Sequence, residues 1–129
     1  MNFRKIHHIA IICSDYNRSK NFYVNKLGFE VIQEVYREER NSYRMDLALN
    51  GEYVIELFSF PAAPARPSYP EARGLRHLAL EVEGIEETVR LLKKEGIETE
   101  EIRIDPYTHK RFTFFEDPDG LPLELYESK

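Results

Sequence analysis

Residues 76–82 read RHLALEV, and residues 7–12 read HHIAII. Both stretches contain a histidine followed by an apolar residue, an alanine and another apolar residue, beginning at His77 in one and at His8 in the other. Apolar and β-branched residues in short runs of this kind predict buried β-strands. The chain therefore carries one strand pattern twice, which predicts a fold built from two similar halves.

A glutamate follows each histidine at almost the same distance. Glu56, in the segment YVIELF, comes 48 residues after His8, and Glu124, in the segment LPLELYE, comes 47 residues after His77. This match supports two equivalent half-domains that share one core. It also provides four potential metal ligands, two from each half.

Length and composition describe one globular domain, residues 1–129. A chain of 129 residues with 42% hydrophobic and 32% charged residues can bury a core without disulfides. The net charge of −5 offers no basic surface for nucleic acid. No apolar run could span a bilayer, MNFRKIHH lacks the apolar core of a signal peptide, and a lone cysteine, Cys13, fits a reducing compartment. We expect a cytoplasmic protein that binds neither nucleic acid nor membrane.

The first module, residues 1–60, reads as a strand, a helix and three strands. A strand is predicted over residues 6–12, and Ser14 and Asp15 offer N-cap side chains for a helix that ends at Gly28. Turn signals separate three further predicted strands, at residues 30–36, 43–49 and 53–59.

A proline-rich linker, residues 61–74, joins this module to the second, residues 75–129. The second module is predicted to begin with a strand at residues 76–82, and apolar residues at helical spacing from Ile85 predict a helix that Gly96 closes. Three more strands are predicted, at residues 98–104, 110–116 and 121–127. Both modules therefore have the order βαβββ, and the predicted fold class is α+β.

Two adjacent histidines compete for one ligand position. On a strand, His7 and His8 would point to opposite faces. Only His8 aligns with His77 in the second copy, so His8 is the candidate ligand and His7 is expected on the far face.

Two imidazoles and two carboxylates suit a divalent transition metal, because Zn, Ni, Co, Fe and Mn accept nitrogen and oxygen ligands of this kind. Considered one at a time, each residue is explained without a metal, as a strand histidine with its hydrogen bonds made or as a glutamate exposed to solvent. All four at matched spacing in a repeat favour a metal centre made of His8, Glu56, His77 and Glu124. A buried carboxylate such as Glu56 would also gain from a cation.

Several segments resemble the vicinal oxygen chelate superfamily, and specifically its glyoxalase I-like branch. They are HHIAIICSDYNRSKNFYVNKLGFEV, VIEL, RHLALEV and FFEDPDGLPLELYE. Within that branch the chain resembles the small glyoxalase-like metalloproteins of the YaeR type. The resemblance implies that each module curls its sheet into half a barrel, with the metal between the halves. It places the four ligand positions of the family at His8, Glu56, His77 and Glu124.

The ligand at position 56 separates branches of that superfamily. Extradiol dioxygenases and fosfomycin-resistance enzymes have no carboxylate there, and methylmalonyl-CoA epimerases commonly have glutamine. Glu56 therefore favours a lyase or isomerase of the lactoylglutathione lyase type. The likeness implies proton transfer through a metal-stabilised enediolate, with Glu56 or Glu124 as the catalytic base. Zn or Ni is the favoured ion, and Co, Fe or Mn would also fit.

The same likeness argues against the standard glutathione hemithioacetal as substrate. Glyoxalase I carries an arginine and an asparagine for glutathione recognition, each four residues after a ligand, and here those positions hold Ile12 and Phe60. We expect a small oxygen-rich substrate, such as a 2-oxo acid or a phosphate ester.

Strand alternation suggests which side chains surround such a substrate. It places Val54 and Phe58 on the face of Glu56, and Asp46 and Arg44 beside them across a turn. In the second module Phe112 and Phe114 are expected inside, with Lys110 at the rim. The alternative for Arg44, Lys110 and Arg111 is a solvated edge, and the segment 37–40 is expected to be an exposed turn.

Two other function classes remain open. A ferrous ion would allow dioxygenase chemistry, although four protein ligands leave little room for both substrate and oxygen. A non-catalytic small-molecule binding protein of the resistance type is the other alternative. A homodimer is expected, and the metal ligands come either from one chain or from two subunits that exchange modules.

Overall fold

The computed structural model describes residues 1–128. It divides into two compact units, Met1–Ala65 and Arg66–Lys129, so the boundary falls inside the predicted linker 61–74. Within residues 1–128 there is no helix long and apolar enough to cross a membrane.

The first unit is a four-stranded sheet with one helical segment. Asp15 caps that segment by accepting a hydrogen bond from the backbone N–H of Arg18, at 3.0 Å. The order of the strands in the sheet is β1-β4-β3-β2, with β1 parallel to β4 and the other pairs antiparallel. In chain order the elements are β1 (Ile9–Cys13), α1 (Tyr16–Lys20), a π-helical continuation (Asn21–Lys26), β2 (Glu30–Arg37), a 3-10 turn (Glu38–Arg40), β3 (Ser42–Leu49) and β4 (Glu52–Ser59).

The second unit repeats this arrangement with a much shorter edge strand. Its sheet order is β5-β8-β7-β6, and β5 is parallel to β8. The elements are β5 (Leu78–Val82), α2 (Ile85–Lys94), β6 (Arg103–Ile104), β7 (Arg111–Glu116) and β8 (Pro122–Glu127). The predicted α+β class and the tandem βαβββ order are confirmed.

Two predicted elements differ from the structure. The strand predicted at residues 98–104 is reduced to Arg103–Ile104, because only these two residues pair with β7. Before them, Glu100 bonds by its backbone N–H to the carbonyl of Phe114, at 2.8 Å, without forming a continuous ladder. The first strand begins at Ile9 and not at residue 6, which leaves both His7 and His8 ahead of it.

Each sheet has one buried face, formed by alternate residues of its strands. In β4, Ile55 and Leu57 are buried, whereas Glu56 between them is only half-buried. In β8, Leu123 and Leu125 are buried, and Glu124 between them is half-buried. Because successive side chains of a strand point to opposite faces, both candidate glutamates lie on the face away from the apolar core. Burial of the neighbouring apolar side chains therefore determines which way the carboxylates point.

Candidate metal centre

The strand register places the two His–Glu pairs at equivalent positions in their own sheets. In the parallel pair β1–β4, Ala10 lies opposite Glu56, and in the parallel pair β5–β8, Ala79 lies opposite Glu124. Each candidate histidine comes two residues before the alanine of its unit. The equivalence inferred from sequence spacing is therefore present as an equivalence of strand pairing.

In each unit the structure brings the histidine to its glutamate. The Nε2 atom of His8 lies 3.8 Å from a carboxylate oxygen of Glu56, and Nε2 of His77 lies 3.0 Å from one of Glu124. The side chains of the two histidines are 36% and 34% exposed, and those of both glutamates are 13% exposed. Each pair thus combines a largely sequestered carboxylate with an imidazole that solvent can reach.

The donor set fits a divalent transition metal. Each unit supplies one imidazole nitrogen and one carboxylate oxygen, and two such pairs make the N₂O₂ set that Zn, Ni or Co accept. In the described part of the chain, no three His, Cys, Asp or Glu side chains are grouped so that they could hold a metal ion. The candidate ligands are therefore seen as two pairs, one in each unit.

Glu56 is surrounded by polar partners. Arg44 places Nη2 3.1 Å from its carboxylate, and the hydroxyl of Tyr53 lies 3.4 Å from the same oxygen. Asp46, which is opposite Glu56 in the β3–β4 ladder, is buried, and it accepts hydrogen bonds from Tyr53 at 2.7 Å and from Arg44 at 3.2 and 3.3 Å. Burial and the bond to Asp46 raise the pKa of Tyr53 above its ordinary value. Tyr53 therefore stays a neutral hydrogen-bond donor.

Glu124 has a different environment. The residue opposite it in the ladder is Phe114, where the first unit has Asp46. The Phe114 ring packs edge-on against His77, with 5.1 Å between ring centroids, and Phe112 packs against Phe114. Among residues 1–128, His77 is the only side chain that forms an ion pair or hydrogen bond with the Glu124 carboxylate. The two candidate ligand carboxylates are thus chemically unequal.

The predicted placement of His7 on the far face is wrong. His7 and His8 lie with their Nδ1 atoms 2.9 Å apart, and both rings contact Tyr53, with centroid distances of 5.2 and 5.0 Å. Both histidines precede the first strand residue, Ile9, so the alternation of a strand does not separate them. His7 therefore belongs to the surroundings of His8.

Sequence reasoning also missed Tyr53. Strand alternation predicted Val54 on the ligand face, but the β3–β4 register shifts between Leu47 and Ala48, so that Ala48 pairs with Tyr53. A bulge of this kind changes which residues share a face. It explains why the Tyr53 hydroxyl, three residues before Glu56, reaches Glu56. The sequence contains no clear signal for such a shift.

The basic residues predicted near the substrate are already engaged. Arg44 lies beside Glu56, as predicted, but Asp46 and Glu56 balance its charge. The ammonium of Lys110 donates to the carbonyl of Ser128 at 2.6 Å. Arg111, whose alternative reading was a solvated edge, donates two bonds to the buried carboxylate of Glu127, at 2.8 and 2.6 Å. Each of these three cationic side chains therefore has a hydrogen-bond or ion-pair partner.

The chain before His77 is held by the linker. The Arg66 guanidinium donates to the backbone carbonyls of Leu75 and Arg76, both at 2.8 Å. Arg76 in turn donates to the carbonyl of Ser68 at 3.0 Å. These bonds constrain the backbone immediately before the candidate ligand His77, because Arg76, the residue before it, has its carbonyl bound by Arg66.

The sequence profile of the Glyoxalase/Bleomycin resistance protein/Dioxygenase superfamily matches residues 5–125. The chain belongs to this superfamily. Members commonly bind divalent metal ions. The vicinal oxygen chelate fold expected from the sequence is thereby confirmed.

Several superfamily members are similar over nearly their whole length. YwkD of Bacillus subtilis, an uncharacterized protein, is 68% identical over 127 residues, which is 98% of this chain and 99% of YwkD. YaeR of Escherichia coli, also uncharacterized, is 61% identical over 127 residues, or 98% of each chain. The crystal structure of a glyoxalase family protein from Enterococcus faecalis is 57% identical, covers 98% of this chain and 100% of its own, and superposes with a TM-score of 0.92.

A more distant superfamily member is an enzyme. The lactoylglutathione lyase of Salmonella typhimurium is 30% identical over 130 residues, which is 95% of this chain and 91% of that enzyme. The relatives that are similar at more than 60% identity have no assigned reaction.

Proposed function

We propose that the pairs His8–Glu56 and His77–Glu124 together bind one divalent metal ion, and that the protein is a metal-dependent lyase or isomerase of the glyoxalase I type. The observation that carries this proposal is the matched register, which places a histidine nitrogen within 4 Å of a glutamate oxygen at equivalent positions in both units. Zn or Ni is the favoured ion because the donors are two imidazoles and two carboxylates.

A bound divalent ion would polarise a substrate carbonyl and so acidify the adjacent C–H bond. Glu124 and Glu56 would then have different roles. Glu124, with only His77 as a polar partner among the described residues, is suited to accept that proton. Glu56 is held by Arg44 and Tyr53, so its carboxylate is suited to stay fixed in position.

The substrate we propose is small and rich in oxygen, and it is not the glutathione hemithioacetal. Ile12 is 54% exposed on β1, opposite Phe58, and Phe60 stacks on Phe58 with 5.5 Å between ring centroids. Neither Ile12 nor Phe60 can bind the charged ends of a tripeptide, because both side chains are apolar. Positions 12 and 60 therefore lack the polar side chains with which glyoxalase I recognises glutathione.

We also propose that the protein acts as a cytoplasmic homodimer. Apolar side chains of the edge strand β2, among them Ile32 at 52% and Tyr36 at 47% exposure, provide surface that a second copy would cover. Sedimentation equilibrium measures the mass directly, and a monomer at micromolar concentration would contradict the dimer.

Two measurements test the proposed activity. Protein purified without chelators should contain about one equivalent of a divalent metal per chain by elemental analysis. The loaded protein should then catalyse exchange of the C–H proton of small 2-hydroxyketones or hemithioacetals in D₂O, followed by NMR. Protein without stoichiometric metal would overturn the metal centre. Protein that contains stoichiometric metal but exchanges the C–H proton of none of these compounds would favour a binding protein.

Asp46→Asn is expected to weaken metal binding by about 10- to 100-fold, the usual effect of changing a group that orients a ligand. Asparagine keeps the size of the side chain but removes the charge that balances Arg44, so the guanidinium would be left with Glu56 alone. It would then compete with the metal for that carboxylate. Competition against a chelator measures the affinity.

Glu87→Gln provides a matched control, because Glu87 is also paired with an arginine, Arg90, on the surface of α2. Its metal affinity should equal that of the unmodified protein. Equal affinities for Asp46→Asn and Glu87→Gln would show that Asp46 does not influence Glu56.

A further inference from the structure

Two arginines pack against two phenylalanines in the first unit and form an arginine–aromatic cluster of Arg37, Arg40, Phe58 and Phe60. The Arg37 guanidinium lies 4.8 Å from the Phe58 ring centroid and 5.6 Å from that of Phe60. The Arg40 guanidinium lies 5.1 Å from the Phe60 centroid. The predicted exposed turn is therefore a 3-10 turn, and the arginine before it, Arg37, and its last residue, Arg40, lie over an aromatic pair.

In the described part of the chain, neither of these two guanidiniums is paired with a carboxylate, although Glu38 and Glu39 lie between them in the sequence. Within residues 1–128, no carboxylate oxygen lies within 4 Å of either guanidinium, although Arg44, Arg103 and Arg111 each have such a partner. Arg37 donates from Nη2 to the Ser42 hydroxyl at 2.9 Å, while its Nε is buried with no hydrogen-bond partner. The exposed guanidinium of Arg40 and the terminal N–H groups of Arg37 that Ser42 does not engage are the donors available to an added anion.

The cluster lies on the same face as Glu56. Phe58 follows Glu56 by two residues on β4, and in the β3–β4 ladder Phe58 opposes Arg44 while Glu56 opposes Asp46. At about 3.3 Å per residue, Phe58 lies about 7 Å along the strand from Glu56, and Phe60 about 13 Å. One substrate molecule of moderate length would reach from Glu56 to the cluster.

We propose that the arginine–aromatic cluster binds an oxoanion at the end of the substrate remote from its metal-chelating oxygens, about 7–13 Å from Glu56. This assignment to the substrate rests on the proposed function. Guanidinium groups bind carboxylates and phosphates with paired N–H donors, and two guanidiniums without a carboxylate partner among the described residues match a phosphate ester better than a single carboxylate. In this proposal the cationic side chains near the substrate are Arg37 and Arg40, whereas strand alternation pointed to Arg44 and Lys110.

The test uses the metal-free full chain and two small anions, methyl phosphate and acetate. Titration is followed by the ¹H–¹⁵N NMR signals of the arginine Nε–H groups. We expect saturable shifts of the Arg37 and Arg40 signals, with tighter binding of methyl phosphate. Tighter binding of acetate would keep the oxoanion site but assign it to a carboxylate.

Arg37→Gln and Arg40→Gln should each weaken anion binding by about 10-fold or more, since hydrogen bonds to charged groups contribute that much. Arg73→Gln is the matched control, because Arg73 is exposed and lies in the linker segment. Arg40→Gln keeps the test valid if loss of the half-buried Arg37 disturbs the fold.

Absence of saturable shifts with both anions would overturn the site, as would equal affinities for Arg40→Gln and Arg73→Gln. The measurement requires no metal, so it is independent of the ligands His8 and His77. A failed metal centre with intact anion binding would overturn only the catalytic proposal, and a failed anion site would leave the metal centre standing.

Discussion

Glu124→Gln is expected to lower metal-dependent proton exchange by about 10³-fold, within the usual contribution of a positioned general base. Glutamine keeps a carbonyl oxygen that can still ligate a metal, but it cannot accept the proton. Glu124 is suited to this role because Phe114 lies opposite it and, among the described residues, its carboxylate pairs with His77 and with no lysine or arginine. Exchange is measured by NMR at saturating metal.

Glu56→Gln is the informative comparison, since Glu56 is the equivalent residue of the other unit. Because Arg44 and Tyr53 already bind its carboxylate, its replacement should mainly weaken metal affinity and leave more exchange activity than Glu124→Gln. Full exchange in Glu124→Gln together with loss in Glu56→Gln would reverse the assignment. Full exchange in both variants would refute a glutamate base.

His8→Ala and His77→Ala should each lower the affinity for Zn or Ni by at least about 100-fold, since even groups that only orient a ligand contribute 10- to 100-fold. Each substitution removes one of the two imidazoles and leaves its glutamate without the histidine partner. Competition with a chromogenic chelator measures the loss. His109→Asn is a suitable control, because His109 is exposed and has a positive φ of 60° that asparagine tolerates.

His7→Ala separates the two adjacent histidines. His7 contacts His8 and Tyr53, so its loss should change metal affinity much less than the loss of His8. The reverse order of effects would make His7 the ligand. Mixing His8→Ala chains with His77→Ala chains adds a second readout, because only a site shared between subunits would recover metal binding.

The candidate ligands can be selected from the amino-acid sequence because they occur in a repeat. Their spacing distinguishes His8 from His7, and the alternation of apolar residues and glutamate in β4 and β8 predicts the direction of both carboxylates. These are local properties of a strand, since one buried face determines the other. The strands predicted at residues 53–59 and 121–127 accordingly lie within one residue of those observed.

The chemistry around those ligands depends on contacts between strands, which local patterns do not encode. Tyr53 reaches Glu56 because of a register shift near Ala48. Arg37 reaches Phe58 because β2 and β4 both flank β3. Neither contact could be predicted from spacing along the chain.

The repeat in the amino-acid sequence was thus sufficient for the fold and for the four-ligand hypothesis, because strand alternation and repeat spacing can be read along the chain. Only the tertiary structure showed that Glu56 and Glu124 have unequal surroundings and that Arg37 and Arg40 form no ion pair within residues 1–128. Which side chains neutralise one another depends on strand register and packing across the sheet, and a shift of one residue changes those partners.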